Sequence, residues 1–223
     1  MRRRSTAGLL AFVTLAPAAL SAQGIGVGAH AGLNGFGVDV GLGLSSNLVL
    51  RGGISLAPED YFLTGLLPSD ISGIEYDVIL PRTTLRAGLE FHVLGPLKLM
   101  GGIMYRSDDL VTRATVRQSI EIGGTTFDES GTVEARLDQN SMMPYAGVGF
   151  GKMSSGFGIY LDLGIAYSGE ADIVMTAYGD LANAPGIDAA LQEEADQYLE
   201  DAPTTIKKLY PILQVGVKFG LGR

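Results

Sequence analysis

The chain has 223 residues, with 16 basic and 24 acidic side chains, 32 glycines and neither cysteine nor tryptophan. That length suits one domain. The missing cysteines exclude a disulfide framework and any thiolate metal site, and the acidic balance excludes nucleic acid as a partner, because phosphate binding needs a basic face.

The start of the chain has the layout of a secretory signal peptide: Arg2, Arg3 and Arg4, a short apolar stretch from Ala7 to Ala18, then the small-residue exit Ala19 to Gln23. The apolar stretch is too short to span a bilayer as a helix. This predicts residues 1–22 as a leader and 23–223 as one mature domain; a buried N-terminal helix is the alternative. Without the three leader arginines, 13 basic side chains face 24 acidic ones, a net charge of −11. No later run has the roughly 18 apolar residues of a membrane helix. A spanning chain without such helices has to be a closed barrel, the other way to satisfy every backbone polar group in lipid.

From Ile25 onward the period is two. Ile25, Val27, Ala29, Ala31 and Leu33 alternate with Gly26, Gly28, His30 and Gly32. Asn34-Gly35, a strong hairpin signal, leads to Phe36 through Leu44, alternating with Gly37, Asp39, Gly41 and Gly43. After Ser45-Ser46-Asn47 come Leu48 to Leu56, interleaved with Val49, Arg51, Gly53 and Ser55. Leu85–Val93 opposes Arg86, Gly88, Glu90 and His92. Across Leu94-Gly95-Pro96, Leu97–Tyr105 opposes Lys98, Met100, Gly102, Met104 and Arg106. Pro144–Phe150, Phe157–Tyr167 and Leu209–Leu221 complete about eight strands, each of a length to cross a bilayer when tilted. Three connections are short (Ser45–Asn47, Leu94–Pro96, Gly151–Gly156). Three are long (Ala57–Gly73, Ser107–Gln139, Gly169–Thr205), the end asymmetry of outer-membrane barrels.

In the second long loop, Leu110–Ile122 and Thr132–Leu137 both alternate, predicting a hairpin that extends its two flanking strands. The third holds a helix signal. Pro185-Gly186-Ile187-Asp188 reads as a start with Asp188 as N-cap, and Ala190, Leu191, Ala195, Tyr198 and Leu199 recur near helical spacing before Pro203. Glu193, Glu194, Asp196, Glu200 and Asp201 make this helix acidic. It is expected to cap the barrel mouth. A contact with a divalent cation or an extracellular partner is the alternative, although EF-hand spacing is absent.

Period alone does not say which face is inside, since a soluble lipocalin-like barrel alternates identically. The glycines sit mostly on the charged face, where a narrow lumen has little room. Phe91, Phe150, Phe157 and Phe219 fall on the apolar face near the short turns, and Phe36, Tyr105 and Tyr167 on the same face near the long loops, as two interfacial girdles would. The expected fold is therefore an all-β, closed, antiparallel up-and-down transmembrane β-barrel in the bacterial outer membrane.

The Gly-rich opening through Leu56, the strand Pro144-Tyr145-Ala146-Gly147-Val148-Gly149-Phe150-Gly151 and the strand Phe157–Tyr167 give the chain its resemblance to small outer-membrane barrel proteins of the OmpA/OmpW-like superfamily. The resemblance covers nearly all of the mature chain. It implies contact with outer-membrane lipid and with the assembly machinery, and, on the OmpW-like side, a narrow conduit for small or hydrophobic solutes. Such barrels usually end on an aromatic residue that the machinery reads; here Phe219 is followed by Gly220-Leu221-Gly222-Arg223.

Asp39, Arg51, Arg86, Glu90, Lys98, Arg106, Asp162 and Lys218 fall on the inward face. Buried charge is costly unless paired, so they are expected to form a lumen charge network, Asp39 and Arg51 being diagonal neighbours across the Ser45–Asn47 turn. A gated, water-filled path between them is the alternative. His30 in the mid-lumen and His92 at the short-turn end both lack a rim serine by strand position, which speaks against a hydrolase site. The sequence thus predicts a structural or surface-interaction protein without catalysis, cofactor or metal, its extracellular partner unspecified.

Overall fold

The computed structural model describes residues 24–58, 70–71, 74–117, 119–201 and 208–221. The leader expectation at residues 1–22 and the helix stop at Pro203 lie outside the described residues.

Eight strands close into one antiparallel barrel: β1 (Ile25–Gly32), β2 (Gly35–Gly43), β3 (Leu48–Leu56), β6 (Thr83–Leu94), β7 (Leu97–Arg106), β12 (Met142–Phe150), β13 (Ser155–Tyr167) and β15 (Leu209–Leu221). The intervening strands β4 (Asp70–Ile71), β5 (Ile74–Ile79), β8 (Leu110–Val116), β9 (Ile120–Ile122), β10 (Thr125–Phe127), β11 (Gly131–Asp138) and β14 (Asp172–Gly179) lie outside the barrel. Barrel neighbours follow chain order, and β1 pairs with β15 to close the ring, Gly26 opposite Gly220. All eight strands expected from the alternation are present.

Turn chemistry sets the register. Gly35 has φ 97°, in the left-handed region that favours glycine, and lets β2 return along β1 with Gly32 opposite Gly35. At the other end, Ser45 Oγ accepts the amide protons of Asn47 and Leu48, holding the β2–β3 turn. Pro144 and Pro211 are tolerated because each sits where one neighbour has run out. The β12–β13 ladder begins at Tyr145 and the β1–β15 ladder reaches only Gln214.

The apolar parity of the barrel points outward. Val27, Val40, Leu89, Leu163 and Val217 are exposed, Phe157 by 80%, whereas Asp39 and Asp162 on the opposite parity are 1% and 0% exposed. Aliphatic pairs such as Leu163 opposite Leu213 and Ile159 opposite Val217 run across the β13–β15 ladder. An exposed apolar surface of this extent suits lipid rather than water.

The long-loop end differs from expectation. Five strands, ordered β14-β11-β8-β5-β4, form a second antiparallel sheet, beside which β9 and β10 make a hairpin. The second loop does form a hairpin, with Val133 opposite Ala114. It does not simply lengthen β7 and β12: the barrel ladder ends at Tyr105–Met142, and the second sheet starts at Leu110–Leu137. The Ser107-Asp108-Asp109 and Gln139-Asn140-Ser141 segments separate them. β5 and β14 were not anticipated. In β14, Ile173-Val174-Met175 is apolar on both faces, so alternation is lost.

The helix α1 runs Ile187–Asp201. It starts earlier than the sequence implied, because the Ala190 amide donates to the Gly186 carbonyl. Asp188 therefore lies in the first turn rather than at the cap, where its charge still meets the positive helix end. Ile187, Ala190 and Leu191 pack with Ile122, Phe127, Leu181 and Ala184, and with Val133, Met175 and Ala177 of the sheet. The helix thus belongs to a small outer lobe with its own apolar core.

Candidate functional site

Inward-facing residues stack the barrel interior in layers. Nearest the short turns, Met153 from the β12–β13 turn packs with Val49 and Tyr160, all fully buried. Lys218 caps this end by donating to the carbonyls of Ser155 and Gly156. Nearer the long loops, Met104, Met143, Ala166 and Ile212 form a second apolar layer with Tyr145 and Tyr210 against it. Above it, Arg106 donates to Gln139 Oε1 at 3.3 Å and lies 4.8 Å over the Tyr210 ring.

Between the apolar layers lies an ion cluster. Arg51 is its hub: Nη2 contacts Asp39 Oδ2 at 2.7 Å, and Nη1 contacts Glu90 Oε1 and Asp162 Oδ2, each at 2.7 Å. Lys98 Nζ reaches Glu90 Oε1 at 2.6 Å and Asp162 Oδ1 at 2.9 Å, and Arg86 approaches Asp39 Oδ1 at 3.6 Å. Three carboxylates thus face three cations, a balance that offsets the desolvation of each. Neutral groups add to the shell: Tyr160 donates to Asp39 and Gln214 to Asp162, both at 2.7 Å, while Arg51 Nε and Glu90 Oε2 are buried without a hydrogen bond among the described residues. The Arg51 guanidinium also lies 4.7 Å from the centre of the Tyr160 ring.

Glycines make this cluster possible. A Cβ at Gly149 would come within 2.6 Å of both Asp162 Oδ1 and Lys98 Cε, and one at Gly53 would overlap Asp39 Oδ1. The cavity beside Asp39, Arg51, Arg86, Glu90, Met100 and Tyr145 measures about 10 Å³, room for one water.

Of the eight inward charges singled out from sequence, Asp39, Arg51, Arg86, Glu90, Lys98 and Asp162 meet in this layer, while Arg106 and Lys218 sit apart at the two ends. The seven aromatic residues Phe36, Phe91, Tyr105, Phe150, Phe157, Tyr167 and Phe219 all project from the outer surface. Tyr160, Gln214 and the methionines were not singled out. Their inward parity is the signal the sequence carries for them, and being uncharged they do not stand out on that face.

The histidine expectation needs correction. His30 Nε2 lies 2.9 Å from Ser55 Oγ, and Nδ1 lies 2.7 Å from Asp39 Oδ2. Since a carboxylate only accepts, Nδ1–H donates to Asp39, and in the neutral ring Nε2 is then left to accept from the Ser55 hydroxyl. This is the bonding order of a hydrolytic triad. His30, Gly37 and Ser55 form one row across β1, β2 and β3, and the bare Gly37 lets the outer two meet over it. Ser55 is buried, and the 10 Å³ cavity near Asp39 does not admit an acyl substrate. His92 is buried beside Glu90, 3.8 Å from Oε2.

Fold and polarity together define a closed eight-stranded antiparallel barrel of the outer-membrane type. The structure is similar to the crystal structure of CarO from Acinetobacter baumannii, with 20% sequence identity, 87% of this chain and 96% of that one covered, and a TM-score of 0.62. It is similar also to CarO2 from Acinetobacter baumannii, with 21% identity, coverages of 89% and 98%, and a TM-score of 0.62. At these identities the likeness speaks for the fold. No family model and no curated protein sequence matches the chain.

Proposed function

We infer that the protein is an integral barrel of the bacterial outer membrane with a structural or surface-interaction role, exported by the leader at residues 1–22. Lipid is the partner of its outer surface, the aromatic residues at both ends act as interfacial girdles, and the assembly machinery inserts it. The observation that carries the reading is the packed interior, in which an ion cluster lies between two apolar layers and the cavity beside Asp39 and Arg51 measures about 10 Å³. In this reading the charge layer rigidifies the barrel, and the lobe at the long-loop end is the surface presented outward. The Ser55–His30–Asp39 row serves the same packing and has no catalytic role.

The competing reading is the narrow conduit that the OmpW-like resemblance implies, for which the small cavity at Asp39 would have to widen. Planar-bilayer recording of the purified protein separates the two. Absence of single-channel steps, both for the unaltered protein and for Arg86→Ala, is expected. Reproducible steps in the unaltered protein would establish the conduit instead.

A further inference from the structure

The outer lobe carries an open cleft of about 400 Å³, within the range of small-molecule sites. Its origin lies in side-chain size. The sheet face turned toward α1 carries Thr112 and Ala114 from β8 and Ala135 from β11, paired so that Ala135 stands opposite Thr112. These short side chains form a hollow floor. Larger residues on the same face, such as Met175 and Val133, are taken up by the core under Leu191. The helix bridges the hollow without filling it.

The lining has two chemistries. Ile120, Ile173, Met175 and Leu191 supply aliphatic walls. Against them stand two carboxylates, Glu121 and Glu194, and two phenols, Tyr76 and Tyr198, and among the described residues no lysine or arginine lines the cleft. Glu194 accepts the Gly123 amide proton at 2.7 Å through one oxygen. Among the described residues neither carboxylate has an ion-pair partner. Burial, with Glu194 and Tyr76 close by, raises the Tyr198 pKa, so its hydroxyl keeps its proton. Tyrosine rings beside unpaired carboxylates attract a cation through both the ring quadrupole and the charge.

We propose that this cleft binds a small amphipathic cation, an amine whose ammonium meets Glu121, Glu194 and the tyrosines while its apolar body lies on Ile173, Met175 and Leu191. The site is separate from the barrel interior and does not depend on whether the lumen conducts.

The test uses the full protein in nanodiscs and two probes of similar size, phenethylammonium and phenylacetate, followed by ligand-observed NMR and calorimetry. Saturable binding of phenethylammonium and none of phenylacetate is expected. Glu121→Gln combined with Glu194→Gln keeps the acceptor for Gly123 and should weaken the amine by about tenfold or more. Ala135→Leu, which fills the floor, should abolish binding, each variant being checked for retained β-structure by circular dichroism. Equal binding of both probes, amine binding unchanged by the glutamine pair and by Ala135→Leu, or no saturable binding would overturn the proposal.

Discussion

The barrel and the outer lobe are both antiparallel sheets built on the same period of two, with opposite polarity. In the barrel, leucine and valine rows face outward and the charges are buried: Arg51 and Lys98 sit among three carboxylates. In the lobe, the charged parity faces outward, with the exposed Arg113 beside Glu134, and the apolar parity packs under α1. Alternation therefore reports only that a sheet has two unlike faces. Enclosure and surroundings decide which face is inside: a small closed ring leaves room for little more than glycine and paired ions, while an open sheet in water covers its apolar face with a helix.

The contrast can be broken most severely at Arg51. Arg51→Ala leaves Asp39, Glu90 and Asp162 buried without their common partner and should cost about 3–5 kcal/mol, read as a lower urea midpoint for barrel unfolding in detergent. A smaller effect is expected on the outer wall. Val215 is exposed midway along β15, and Val215→Arg should cost about 3 kcal/mol in bilayers, since cations are opposed near the membrane midplane. An undiminished stability there would mean the apolar wall does not meet lipid. The lobe should respond more locally. Leu191, 3% exposed in the lobe core, when changed to Ala should cost about 2–3 kcal/mol. Hydrogen exchange should quicken at β14 and β9 and stay unchanged in β13 and β15. Acceleration spreading through the barrel would show that the two regions unfold as one.

How far the sequence could be read follows from how local each signal is. The barrel strands were legible because their alternation is long and turn-bounded, and the Asp39–Arg51 pair because both residues flank a short turn. The His30–Ser55 contact was equally countable, since the Asn34-Gly35 and Ser45–Asn47 turns place both in a row with Gly37. It was missed because a whole strand, β2, separates them and only a glycine spans that gap. The lobe sheet was harder. β5 shows alternation, Tyr76 and Val78 against Glu75 and Asp77, but is only six residues long, and β14 pairs with β11 across a large sequence separation. The hollow under α1 was out of reach, because Thr112, Ala114 and Ala135 become a floor only once strands from different parts of the chain lie side by side.

The second sheet takes β4 and β5 from the connection between β3 and β6, β8 and β11 from that between β7 and β12, and β14 from that between β13 and β15. Such interleaving makes the three connections a single woven unit. An antibody or phage protein recognising this end would read a discontinuous epitope, and a synthetic peptide copying any one connection would not reproduce it. For the same reason, exchanging one connection between related barrels should disturb its two neighbours, so the three are expected to be transplantable only as a set.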